Sequence, residues 1–186
     1  MLERFFLDRQ DAVLLVIDIQ ERLAAVMEDN IRRLVIDNTL RLAGTAKLLC
    51  LPSVLTEQYP KGLGETADPV KSSLSGAMRV EKLTFDCCGE PSFVDGLQAM
   101  GRKKVILAGM ETHICVLQTC IGLLERGFAV HVAADACCSR RKENHLAGIE
   151  FMRDAGAAIT TVETALFQLA GRAGTEEFKA ISKLIK

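Results

Sequence analysis

Four short apolar runs constrain this chain more than any other feature. They are "AVLLVID" (12–18), "LPSVLTE" (51–57), "KKVILAGM" (103–110) and "FAVHVAADA" (128–136). Both faces of each run are dry, so they read as buried parallel strands. Between them the spacing turns helical. Ile31, Leu34, Val35, Thr39 and Leu42 recur at three and four in "NIRRLVIDNTLRLAGTAKLL". "CVLQTCIGLLERG" repeats that pattern and closes at Gly127, a C-cap residue. "KENHLAGIEFMRDAG" (142–156) also closes on a glycine. Strand and helix alternate, which predicts a mostly parallel sheet with right-handed crossovers. The expected fold is one three-layer α/β/α, Rossmann-like domain over residues 1–186. Further strands are expected over 77–82 and 157–163. The tail should hold two short helices around the Gly171–Gly174 turn. The stretch "EQYPKGLGETADPVKSSLSG" (57–76) is the longest irregular one, and such loops at strand carboxyl ends border ligand sites.

Composition narrows the partners. The chain has 186 residues, 49% of them hydrophobic, which suits one domain with a sizeable core. With 23 basic and 24 acidic side chains, the net charge of −1 leaves no electrostatic footprint for nucleic acid or an anionic membrane. A small-molecule partner fits better. No apolar run reaches the ~18 residues of a membrane span, and "MLERFFLDRQDA" lacks a signal-peptide core. Seven cysteines, an odd number spread through apolar segments, point to reduced thiols and a cytoplasmic protein. Closed symmetric oligomers are the default for soluble proteins of this kind, so a homo-oligomer is expected.

Three polar residues stand at strand ends: Asp18 after "LLVI", Lys82 after "MRVE" and Cys115 just beyond "KKVILAGM". Strand carboxyl ends converge on one sheet edge, so three positions distant in sequence can meet there. An acid, a base and a thiol make a chemically sensible set. A nearby ammonium and a helix N-terminus both favour the thiolate, which predicts a Cys115 pKa below about 8.5. The Asp18 carboxylate acts the other way, so the lysine must do more than cancel it, or proton transfer must wait for substrate. A carboxylate can take the thiol proton and hand it to a leaving group. Each residue also has a plainer role: N-cap for the aspartate, solvated side chain for the lysine, core filler for the cysteine. Their shared position favours the joint reading. His113 is read as supporting its loop, His131 as a buried or interface residue and His145 as solvated. Cys120 should pack in the core. The Cys–Cys pairs at 87–88 and 137–138 lack the C-x₂₋₄-C spacing of zinc sites, and "KGLGET" is an incomplete phosphate-binding fingerprint.

Taken together, these segments resemble the isochorismatase-like cysteine hydrolase superfamily, and within it the isochorismatase-domain subgroup. "LLVIDIQERL" is similar to its first strand with Asp-x-Gln, and "RVEKLTFDC" to its lysine strand. "LAGMETHICVLQTC" is similar to its nucleophile segment, while "TEQYPKGLGET" and the tail from 161 resemble the subgroup. The resemblance implies a catalytic triad of Asp18, Lys82 and Cys115. It implies a cis peptide at Met110–Glu111 and an oxyanion hole from the backbone N–H groups of Glu111 and Cys115. It also implies hydrolysis of an amide-type carbon–nitrogen bond through a thioester. Residues flanking the triad in sequence, Gln20, Leu23, Tyr59, Phe85 and Thr112, are the expected pocket wall. Nicotinamidases of this superfamily bind a metal through an Asp and His cluster after the second strand. This chain has "TEQYPKG" there, so no metal and no other cofactor is expected. The alternatives are a carbamoyl or ester substrate, or a non-catalytic interaction protein that retains the fold.

Overall fold

The computed structural model describes residues 2–185. Its strands are β1 (Ala12–Ile17), β2 (Ser53–Gln58), β3 (Met78–Lys82), β4 (Lys104–Met110), β5 (Ala129–Cys138) and β6 (Ala158–Thr160). The helices are α1 (Glu21–Ala25), α2 (Asp29–Leu48), α3 (Pro60–Leu63), α4 (Asp68–Ser73), α5 (Pro91–Ala99), α6 (Leu117–Glu125), α7 (Lys142–Asp154), α8 (Val162–Ala170) and α9 (Glu176–Ile185). The strands form one sheet in the order β3-β2-β1-β4-β5-β6, with every neighbouring pair parallel. The chain builds outward from β1 to β3, then returns to the centre and builds outward from β4 to β6. The order reverses between β1 and β4, and in open parallel sheets the crevice above such a reversal is where ligands bind.

The absence of alternation in the strand sequences has a direct cause. Leu14, Val16, Ile106, Ala108 and Met110 face a core completed by α2, α8 and α9. Their neighbours Val13, Leu15, Ile17, Val105 and Leu107 face a second core completed by α5, α6 and α7. A side chain of this size contributes roughly 1.5–3 kcal/mol when fully buried, on whichever face it lies. Both layers of helices are therefore held by the same central strands.

Three local expectations need correction. The strand expected over 157–163 stops at Thr160, because the Thr161 side chain accepts a hydrogen bond from Thr164 N–H and caps α8. β-Branched residues suit a strand, but a threonine at a helix start gives more by capping. The stretch 57–76 is not irregular throughout. It contains α3 and α4, each with proline in its first turn, where the missing N–H costs nothing. Cys115 does not open a regular helix. Val116 N–H donates to the Glu111 carbonyl five residues back, at 3.3 Å, making one wide turn before α6 begins. Such turns are concentrated at functional sites.

One close approach fixes the centre of the sheet. Gly109 in β4 pairs with Ile17 in β1, the residue before Asp18. A Cβ on Gly109 would lie 2.3 Å from the Ile17 carbonyl oxygen, and the Gly109 φ is +152°. Backbone oxygen cannot yield as a side-chain tip can. Gly109→Ala is therefore expected to destabilise the fold by at least about 2 kcal/mol, from overpacking and backbone strain together. Urea unfolding checks this, and a change under about 0.5 kcal/mol would show that the two strands can separate freely.

Candidate active site

β1 ends because Asp18 turns into the left-handed region, with φ 52°, and so leaves the ladder. Its backbone still donates to Thr56 O at 3.2 Å and accepts from Gln20 N–H at 2.8 Å. The turn leaves its carboxylate fully buried. Thr56 Oγ1 donates to Asp18 Oδ1 at 2.7 Å, and Lys82 Nζ donates to Asp18 Oδ2 at 2.7 Å. Lys82 comes from the end of β3, and far from being solvated its side chain is fully buried. Its ammonium also reaches Gln58 Oε1 at 2.7 Å and the carbonyls of Thr84 (3.3 Å) and Phe85 (3.4 Å). Three protons distributed over four oxygens leave nothing with which to grasp a ligand. Burial acts to lower the lysine pKa, but the charge of Asp18 and the nearby thiols outweigh it, and the net shift is upward. Lys82 stays an ammonium.

Cys115 completes the set and is 5% exposed. The structure thus brings Asp18, Lys82 and Cys115 together at the carboxyl edge, beside the reversal of strand order. The expected low thiol pKa is corrected. Burial pushes Cys115 up to about 12, the Asp18 carboxylate adds to the rise both by its charge and as hydrogen-bond acceptor, and Lys82 opposes them without prevailing. Desolvation disfavours an anion in a dry site, and a second anion beside the first is worse still. The resting thiol keeps its proton, beside the carboxylate.

The Met110–Glu111 peptide is cis. Of the five residues expected in the pocket wall, Tyr59 and Phe85 are about half exposed, at the ends of β2 and β3. Leu23 is half-buried and packs on the α2 side. The polar atoms of Gln20 and Thr112 are engaged inside the protein. Gln20 accepts from Gln58 N–H at 2.7 Å and donates to the carbonyls of Gln58 (3.0 Å) and Gly64 (2.6 Å). Thr112 Oγ1 pairs with His145 Nδ1 at 3.0 Å. Both hold walls together. His145 is also corrected, since it is half-buried rather than solvated, and burial lowers its pKa. His113 supports its loop through Ser139 (2.9 Å) and Asn144 (3.2 Å), and His131 is buried against Arg4 O at 2.9 Å.

Three residues of the site were not singled out from sequence. Thr56 and Gln58 lie two apart on β2, so they share a face. Two polar residues on one face at a strand's carboxyl end are the signal that could have found them. Cys87 is the third: its Sγ lies 4.0 Å from Thr56 Oγ1, and burial and Asp18 raise its pKa to about 12 as well. Cys50, by contrast, is exposed. Among the described residues, no group of three or more His, Cys, Asp or Glu side chains is arranged to hold a metal. None of their helices is long and apolar enough to cross a membrane.

Known proteins share this arrangement of strands and helices. A family model described as the isochorismatase domain matches residues 12–164. A curated relative, the secreted isochorismatase effector Isc1 of Phytophthora sojae, is 44% identical over 158 residues, covering 82% of this chain and 74% of its own. The MAR1 ribonuclease structure from Caenorhabditis elegans superposes with TM-score 0.90 at 37% identity, covering 97% and 92% of the two chains. YcaC from Pseudomonas aeruginosa, solved with hexane-2,5-diol and covalent acrylamide, gives 0.90 at 28% identity over 96% and 91%. The Escherichia coli YcaC gene product, described as an octameric hydrolase of unknown specificity, gives 0.88 at 25% identity over 96% and 90%.

The raised thiol pKa makes a directional prediction. Well below its pKa, the thiolate fraction rises about tenfold per pH unit, and the thiolate is the species that alkylates. In a Cys50→Ser background, which removes the exposed thiol, labelling of Cys115 by iodoacetamide should climb from pH 7 to pH 9 without a plateau. Peptide mapping by mass spectrometry follows it. A plateau below pH 8 would mean that Lys82 outweighs burial and Asp18 after all.

Proposed function

Because the chain belongs to the isochorismatase family, we propose that it is a cysteine-dependent hydrolase that cleaves a carbon–nitrogen bond in a small amide. The observation that carries this reading is a buried carboxylate placed beside the thiol. Thr56 and Lys82 occupy one oxygen each of Asp18, and the carboxylate's remaining acceptor capacity faces the Cys115 thiol.

The proton then dictates the order of events. A thiol held near 12 supplies no standing nucleophile, so deprotonation accompanies attack. The proton moves from Cys115 Sγ to Asp18 as the C–S bond forms. Negative charge collects on the substrate oxygen, where the backbone N–H groups of Glu111 and Cys115 receive it. When the C–N bond breaks, the proton passes from Asp18 to the leaving amine or ammonia. Water then attacks the thioester and gives a proton to Asp18, which returns it to the departing sulfur. Lys82 remains an ammonium throughout and holds the Asp18 carboxyl group in place.

Acrylamide, itself a small amide, is bound covalently in the Pseudomonas YcaC structure, which favours testing small amides first. A solved relative called a ribonuclease brings RNA into view, but the near balance of 23 basic and 24 acidic side chains gives no electrostatic support for that substrate. The relative described as octameric supports a homo-oligomer, and light scattering giving a mass near 20.3 kDa would remove that part of the reading. Seven free thiols support a reducing compartment; one relative is nonetheless named a secreted effector, so fractionation in the source cell decides.

The direct test is a panel of small primary and N-substituted amides, with matched carbamoyl compounds and esters, read as released ammonia, amine or alcohol. Turnover of at least one amide should fall by 10³-fold or more in Cys115→Ala, the scale of losing a covalent nucleophile. Turnover of esters or carbamoyl compounds alone would reassign the leaving group. Turnover that survives Cys115→Ala would remove the cysteine from the mechanism.

A further inference from the structure

The outer side of the nucleophile turn is fastened by three consecutive residues. Glu111 is 4% exposed, and its carboxylate accepts from Arg140 three times: from the backbone N–H to Oε2 at 2.9 Å, and from Nε to Oε1 and Oε2 at 3.1 and 3.2 Å. Thr112 follows, paired with His145, and then His113, paired with Ser139 and Asn144. All of these partners lie between 139 and 145, in the corner after β5 and the first turn of α7. The helix itself presses on the turn. A Cβ on Gly148 would lie 3.0 Å from His113 Cα and 3.1 Å from His113 N. Backbone meets backbone there, so the turn is packed directly against the middle of α7.

We propose that Arg140 is a positioning residue for acyl transfer. It anchors the Glu111 side chain and so fixes the Glu111 backbone N–H at the distance an oxyanion needs. This rests on the reading above, in which that N–H receives the developing charge. Two features single out Arg140 among the three fastenings. Of the three fastened residues, it holds the one whose own N–H belongs to the hole. Its partner is also a buried carboxylate, which in Arg140→Ala would keep only the backbone N–H and lose its counter-charge. A hydrogen-bond donor acts on a transition state only within a few tenths of an ångström of its proper distance. Arg140 makes none of the bonds that hold Asp18 or Lys82, whose partners come from β2 and the residues after β3. Its removal should therefore damage the oxyanion hole and leave the thiol's proton chemistry alone.

That selectivity is what the experiment reads, on the full-length protein in a Cys50→Ser background. The first measurement is acylation of Cys115 by 4-nitrophenyl acetate, followed as a nitrophenolate burst, with Cys115→Ala as blank. This step builds an oxyanion without requiring knowledge of the natural substrate. The second is alkylation of Cys115 by 2-iodoethanol, which has no carbonyl and builds none. Arg140→Ala should slow the burst by about tenfold to a hundredfold, less than the 10²–10³ lost when a donor is deleted outright. Alkylation should stay within about twofold, and Arg140→Lys should restore most of the burst rate. An unchanged burst in Arg140→Ala overturns the proposal. So does a parallel fall of both rates, which would mean that the turn has simply collapsed. A wild-type protein that gives no burst at Cys115 overturns the hole itself, and the positioning role with it. A clear wild-type burst beside a failed amide panel would instead leave Arg140's role standing and retire the amide reading.

Discussion

The ion pair between Lys82 and Asp18 is the constraint on which the rest of the site depends. Both side chains are fully buried, 2.7 Å apart, in a protein interior that tolerates neither charge alone. Removing one partner of such a pair typically costs about 3–5 kcal/mol, because the other is left charged and dry. The neighbourhood is arranged to prevent that. Gln58 and two carbonyls complete the ammonium, and Thr56 completes the carboxylate. Gln20 then ties the end of β1 to β2 and to Gly64, so the frame that carries the pair cannot open locally.

The same burial sets the chemistry of the thiol. Placing a third ionisable group against this pair gives an assembly that can hold only so much charge. With Lys82 positive and Asp18 negative, Cys115 keeps its proton. The dry environment that holds the ion pair together is the reason the sulfur is not a free thiolate. In the proposed mechanism one carboxylate serves both proton transfers, because it is buried beside the sulfur. Enzymes that store a thiolate need an electropositive, partly exposed site. This site has the opposite character.

Much of the fold was legible because burial on two faces leaves an unmistakable trace. Strands such as "VILAGM" have no polar side, and the glycines closing their helices are easy to find. Asp18, Lys82 and Cys115 were legible for a related reason, since a polar residue ending an apolar run must be at an edge. What sequence concealed was depth and distance. The raised pKa of Cys115 comes from exclusion of water, which spacing does not report. Thr56 and Gln58 matter only because β2 lies between β1 and β3, and strand order is not written locally. Arg140 and His145 reach back about thirty residues to the nucleophile turn, across a corner whose geometry is set by the β5–α7 packing. The two short helices between Tyr59 and Leu74 have four and six residues, too few for any periodicity to emerge, though the prolines in their first turns are visible.

The central claim is that a protonated, buried cysteine becomes an acyl carrier by giving its proton to Asp18. Rapid acid quenching during turnover of an amide from the panel, followed by peptide mass spectrometry, tests it most directly. The account predicts an adduct of the acyl group's mass on the Cys115 peptide, released by hydroxylamine as a thioester is, and its absence from Asp18→Asn. Turnover that proceeds with no acyl adduct on Cys115 at any quench time, or an adduct that forms at the normal rate in Asp18→Asn, would contradict it.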